Sequence, residues 1–173
     1  SVAMSDASAA GATLVAGAPY EDGGAPDAGS AYVYWGSNWG QQAYLKAPNP
    51  GQGDQFGTSV ALYGDWVVAG APYEDGAGTG TTANPFNEGA LDAGAAYVFG
   101  RFVSAQGVLS WSQQAYVKAS NTDAGDNFGS AVAVYGSWTD PGGIRMVAGA
   151  LLEDSGVNGN PNDNSMQNAG ASY

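Results

Sequence analysis

The feature that most constrains this chain is that it repeats itself. FGTSVALYG (56–64) returns as FGSAVAVYG (128–136), a step of 72 residues. LVAGAPYEDG (14–23) returns as VVAGAPYEDG (67–76) and as MVAGALLEDSG (146–156). DAGSAYVY (27–34) returns as DAGAAYVF (92–99), and in short form as NAGASY (168–173); QQAYLKA (41–47) returns as QQAYVKA (113–119). Four phrases recur in one order, so one structural unit has four elements and must stack on its neighbours to bury its faces.

Each phrase is short, rich in Val, Tyr, Phe and Ala, and bounded by Gly, Asp, Asn or Pro, which predicts strands and turns and leaves no helical period. QQAYLKA alternates, with Gln42, Tyr44 and Lys46 on one face and Ala43, Leu45 and Ala47 on the other. VVAGA does not alternate and reads as a strand buried on both faces. Four antiparallel strands repeated as a unit, small inside and amphipathic outside, describe the blade of a β-propeller. The units run approximately over 1–52, 53–124 and 125–173, the last one truncated. Closed propellers need about 4–8 blades, so the chain is expected to be a piece of a longer protein, or else to have its open edges covered by other copies.

Composition removes several functions. Sixteen acidic residues face four basic ones, a formal net charge of −12, which repels nucleic acid and anionic membrane surfaces. Without Cys there is neither a disulfide frame nor thiolate chemistry, and without His the usual general base and imidazole metal ligands are missing. No apolar run approaches the length of a membrane-spanning helix. An enzyme would have to work with carboxylates alone, as glycosidases do. Here every acidic group of interest recurs with the repeat, whereas a catalytic pair is unique, so the expectation is a non-enzymatic protein.

The order QQAYLKA, GDQFGTSVALYGDWVVAGAPYEDG, DAGAAYVF resembles the FG-GAP repeat in its bacterial and extracellular variety, and the repeats of the integrin α-chain propeller. Phe56-Gly57, Phe128-Gly129, Gly17-Ala18-Pro19 and Gly70-Ala71-Pro72 carry the resemblance; in the third unit Gly149-Ala150-Leu151 has lost the Pro. The resemblance implies an all-β fold of about three blades from a larger, seven-bladed propeller. It also implies an extracellular or cell-surface adhesion or recognition module. Integrin relatives hold Ca²⁺ between strands one and two. Here that connection is the tight turn Tyr63-Gly64-Asp65-Trp66, with lone Asp6 and Asp140 in the other units, so that site is not carried over.

Carboxylates gather elsewhere. Strand two ends in Glu21-Asp22, Glu74-Asp75 and Glu153-Asp154; strand three begins at Asp27, Asp92 and Asn168; Asp54 and Asp126 precede strand one of the following unit. In an up-down meander the 2–3 turn and the crossover to the next unit lie on the same side, so each unit collects three or four of these groups on one rim. A hard cation such as Ca²⁺ would relieve their repulsion. The alternative is a solvated rim whose Asp residues cap turns.

Length varies on that rim too: the 2–3 connections have four residues (23–26), sixteen (76–91) and thirteen (155–167). Loops on a rigid scaffold are where such folds bind, so Thr81, Phe86, Asn87, Glu88, Asn160, Asn162 and Met166 are candidates for contact with a protein or glycan partner. Trp39 and Trp111 precede corresponding strands and read as packing; Trp35 and Trp138, unmatched between units, are the better candidates for surface contact, with burial between blades still the default. The alternative function is a structural subunit of an extracellular filament, sheath or matrix, self-associating through its edges.

Overall fold

The computed structural model describes residues 1–5, 11–137, 139, 142–154, 160 and 163–173. The readings placed on Asp6, Trp138, Asp140 and Asn162 therefore lie outside the described residues. Among those described there is no helix, and none long and apolar enough to cross a membrane.

Three antiparallel sheets follow one another along the chain. The first contains β1 (Val2–Ser5), β2 (Thr13–Ala18), β3 (Ser30–Trp35) and β4 (Gly40–Leu45), in that spatial order. The second repeats it with β5 (Ser59–Tyr63), β6 (Trp66–Ala71), β7 (Ala95–Val103) and β8 (Leu109–Val117). The third has β9 (Phe128–Tyr135), β10 (Arg145–Ala150) and the short β11 (Ala171–Ser172), ordered β11-β10-β9. The register repeats as well. Ala16 pairs with Tyr32 in the first sheet and Ala69 with Tyr97 in the second, and bulges fall at Val33/Tyr34 and Val98/Phe99. These are propeller blades.

The core lies between the sheets. Val15, Ala31, Val33 and Leu45 of the first pack on Val67, Ala69, Tyr97 and Phe99 of the second. Trp66, Val68, Ala96 and Val98, on the other face of the second, pack on Phe128, Ala148 and Ala150 of the third. Position in the stack explains why one phrase has three burial patterns. Strand β6, covered on both faces, is buried along its whole length, while β2 and β10, covered on one, are buried only at alternate or scattered positions. QQAYLKA behaves as its alternation requires, with Leu45 and Ala47 buried between the sheets and Tyr44 exposed.

The crossover between units sets where everything else sits. Residues 53–56 run alongside the 2–3 connection of the first unit: Gly53, Gln55 and Phe56 donate their N–H groups to the carbonyls of Pro26, Asp27 and Ala28. Gly125, Asn127 and Phe128 repeat this on Leu91, Asp92 and Ala93. Parallel bridges Gly29–Phe56 and Gly94–Phe128 result. Each Phe is thus fixed by its backbone to one unit while its ring enters the core of the next. Phe56 lies 5.3 Å from Tyr97, and Phe128 lies 5.6 Å from Tyr173.

Candidate functional site

The acidic rim is built from these crossovers and the 2–3 connections, and its carboxylates divide by position. The second of each pair supports a turn. Asp22, Asp75 and Asp154 accept the N–H of Asp27, Asp92 and Asn168 at 3.0, 2.8 and 2.7 Å. All three acceptor-bonded residues have φ of 52–53°, the left-handed region that Asp and Asn tolerate better than other side chains. Asn168 therefore does the work of Asp27 and Asp92; charge is not what the position needs. Asp54 and Asp126, both buried, accept the N–H of Gly51 and Asp123 and close the turn that starts each crossover.

The first of each pair points inward. Glu74 is fully buried and receives four donors: Tyr116 Oη (2.8 Å), Lys118 Nζ (2.9 Å), the Gly76 N–H (3.0 Å) and Asn49 Nδ2 (3.1 Å). Asn49 belongs to the preceding unit. Its Oδ1 accepts from Tyr97 Oη at 3.0 Å, and its Nδ2 also donates to the Pro85 carbonyl at 2.6 Å. The third unit repeats the arrangement. Asn121 Nδ2 donates to buried Glu153 at 2.6 Å, and Tyr173 Oη donates to Asn121 Oδ1. One Asn from each of the first two units thus fastens the Glu and the Tyr of the next. In the first unit Glu21 takes Tyr44 Oη at 2.6 Å and Lys46 Nζ at 2.9 Å, nearer to solvent.

Electrostatics follow from burial. The Tyr44 hydroxyl and the Lys46 ammonium hold Glu21 below the usual carboxylate range. Burial raises Tyr44 to about 12, with Glu21 adding to the rise. Burial pulls Lys118 down, against the attraction of Glu74. Asp54 is raised to about 6 by burial, opposed by the Gly51 N–H and reinforced by Glu74, Glu88 and Asp75. Burial also raises Glu88, Asp92 and Asp126, and neighbouring carboxylates add to each.

The structure therefore brings Asp54 near Glu74, Asp75 and Glu88, and Asp126 near Glu153 and Asp154, as the rim argument expects. It does not make them a cation cage. Among the described residues no three Asp or Glu side chains stand where they could share a metal ion, and Glu21, Asp22, Asp54, Glu74, Asp75, Asp126, Glu153 and Asp154 each accept an N–H, hydroxyl, amide or ammonium donor. Ca²⁺ takes six to eight oxygens around one point, a convergence that the described carboxylates do not show as placed here.

The long loop of the second unit is anchored rather than loose. Gly80 exchanges backbone hydrogen bonds with Lys118 and Ala119, the Ala77 N–H reaches the Asn87 carbonyl, and the Ala90 N–H reaches that of Asp75. Phe86 and Leu91 stay two-thirds exposed. Thr81, Asn87 and Glu88 are exposed beside them. Between this loop and the incoming crossover lies a groove of about 520 Å³, walled by Pro48, Pro50, Gln52, Asp75, Phe86 and Glu88. On the third unit Asn160 and Met166 are exposed, and Asn164 Nδ2 ties that loop to Asp123 at 2.8 Å.

Of the tryptophans, Trp111 packs against the core between the first two units and faces Gln42 across it. Trp39, expected to pack likewise, is 45% exposed with φ of 52°, because no unit covers that flank of the first sheet. Sequence reading missed Asn49, Asn121, Lys118 and Tyr116. The signal was present: the repeated phrase runs on as LKAPN and VKASN, with Lys and Asn at the same spacing.

No curated protein matches the chain. Residues 39–99 match the family model described as the FG-GAP repeat, a stretch that includes β4, the crossover with Phe56-Gly57, the buried Glu74 and β7 as far as Phe99. Residues 39–99 of the chain therefore carry an FG-GAP repeat.

Proposed function

We propose that this chain is part of an extracellular, non-enzymatic recognition module that takes a protein or glycan partner on the rim formed by its 2–3 loops. The observation that carries this reading is the anchored 76–91 loop. It holds an exposed Phe86 and an exposed Glu88 at a groove and is tied down by the Asn49–Pro85 hydrogen bond and by backbone bonds from Gly80 to Lys118 and Ala119. Rigid mounting lowers the ordering cost of binding, and an aromatic group beside carboxylates suits a partner that brings an apolar face and a cationic or hydroxyl-rich group. The test is binding of the chain to a panel of extracellular-matrix proteins and glycans, repeated with Phe86→Ser and Glu88→Gln. Binding lost in both variants while the fold persists is expected. A partner bound equally well by both would place recognition elsewhere.

A structural role in a filament or matrix has its own support. Apolar side chains stand exposed on both flanks of the stack, Val2 and Met4 on one, Val147 and Leu151 on the other.

A further inference from the structure

The seam between the first two units holds three groups whose chemistry the packing does not use up. Lys118 directly follows β8, Glu74 lies just past β6, and Asn49 belongs to the crossover leading to β5. Glu74 stands between the other two. Its Oε2 accepts from Lys118 Nζ at 2.9 Å and its Oε1 from Asn49 Nδ2 at 3.1 Å. On the other side of the amide, Asn49 Oδ1 accepts from the hydroxyl of fully buried Tyr97 at 3.0 Å. Lys118 and Glu74 expose no side-chain surface and Asn49 is 7% exposed, so water, the competing nucleophile, is held off. Burial pulls Lys118 down against the attraction of Glu74, which favours the neutral, nucleophilic amine. Asn49 is followed by Pro50, whose nitrogen bears no hydrogen. The attack by the next backbone nitrogen that turns other asparagines into succinimides is therefore closed, leaving the Lys118 amine as the nucleophile beside the amide.

We infer that Lys118 and Asn49 join in an intramolecular isopeptide bond, Nζ to Cγ, with Glu74 carrying the protons. The contacts above are those of the reactants. Glu74 takes a proton from the Lys118 ammonium at Oε2, and the neutral amine then turns to attack Asn49 Cγ. The carbonyl electron pair moves to Oδ1, where the Tyr97 hydroxyl donates to the growing negative charge. Glu74, which touches Nδ2 through Oε1, delivers its proton there, and the Cγ–Nδ2 bond breaks with its electron pair on ammonia. The surplus proton on the new amide nitrogen passes through Glu74 to the ammonia. One ammonium and one carboxamide thus become a secondary amide and an ammonium ion; Glu74 is a carboxylate again and nothing is oxidised. The bond ties the crossover from the first unit to the end of β8, bracketing β5 to β8, in a chain that has no Cys to do so. Lys46, Glu21 and Tyr44 repeat part of the set nearer solvent and serve as an internal reference. The inference does not depend on the loop rim or on what the rim binds.

The experiment measures the intact mass of the folded 173-residue chain after incubation at neutral pH, then maps it with trypsin. The chain is expected to be lighter than its sequence by one ammonia molecule. Trypsin should cut after Lys46 but not after Lys118, and residues 47–101 and 102–145 should run as one branched species. Lys118→Arg and Asn49→Ala should each restore the full mass. Glu74→Gln keeps both reacting groups and should restore it too, which separates a proton carrier from a bystander. Circular dichroism verifies that each variant keeps its strands. Because a buried substitution can unfold the chain, the branched peptide of the unsubstituted chain is decisive. Full sequence mass with normal cleavage after Lys118 overturns the proposal. Ammonia loss that survives Lys118→Arg overturns it as well, since another asparagine would be its source. A bond that forms equally in Glu74→Gln overturns the role given to Glu74.

Discussion

Lys118 Nζ stands 2.9 Å from Glu74 Oε2 with both side chains fully buried, while their counterparts Lys46 and Glu21, at the same distance, keep 16% and 28% of their side-chain surface. One ion pair is thus present twice in two dielectric settings. Removing one partner of a buried pair strands a charge and costs about 3–5 kcal/mol, whereas an exposed pair contributes about 1 kcal/mol or less. Lys118→Met should therefore lower the urea midpoint severely and Lys46→Met only slightly. Equal losses would mean that the two sites do not differ in burial as described.

Stability should depend on pH through Asp54. Its carboxyl, raised to about 6 from an ordinary value of 3.8, holds a proton in the folded chain across a window in which the unfolded chain has released it. Stability from this group therefore falls as pH rises through that window, and returns as pH drops from 7 toward 5. Glu88, Asp92 and Asp126 act in the same direction, and Glu21, which is lowered, acts against them. Asp54→Asn keeps an acceptor for the Gly51 N–H and should flatten the dependence, measured as thermal midpoint against pH. An unchanged slope would remove Asp54 from the explanation.

Calcium should leave the chain unmoved. Most rim carboxylates accept hydrogen bonds from backbone, Asn, Tyr or Lys donors, and no three of the described ones could share a metal ion. Thermal midpoints in millimolar Ca²⁺ and in chelator should coincide at matched ionic strength. A rise specific to Ca²⁺ over Mg²⁺ would show that the donors rearrange around an ion.

Strand identity, order and turn positions were legible because each phrase carries local signals: alternation in QQAYLKA, small residues in VVAGA, Gly-Asp at the β5–β6 turn. The carboxylates could be placed on one rim because meander parity is a property of topology. Their roles were harder to read. Glu74 and Asp75 are neighbours in sequence, yet one points into the seam between units and the other caps a turn. The burial of β2, β6 and β10 also differs although the phrase is shared, since cover depends on place in the stack, which no local phrase encodes. Asn168 stands where the other units have Asp27 and Asp92, and its φ of 52° and N–H bonded to Asp154 show a position chosen for backbone conformation.

The seam itself is best probed by a double-mutant cycle between Asn49 and Glu74, using Asn49→Ala, Glu74→Gln and the pair, with unfolding free energies from urea titration. If Asn49 latches one blade to the buried carboxylate of the next, the two losses should couple by about 1 kcal/mol or more. Losses that add to within about 0.5 kcal/mol would mean that the two residues act independently and that the blades are held together by apolar packing alone.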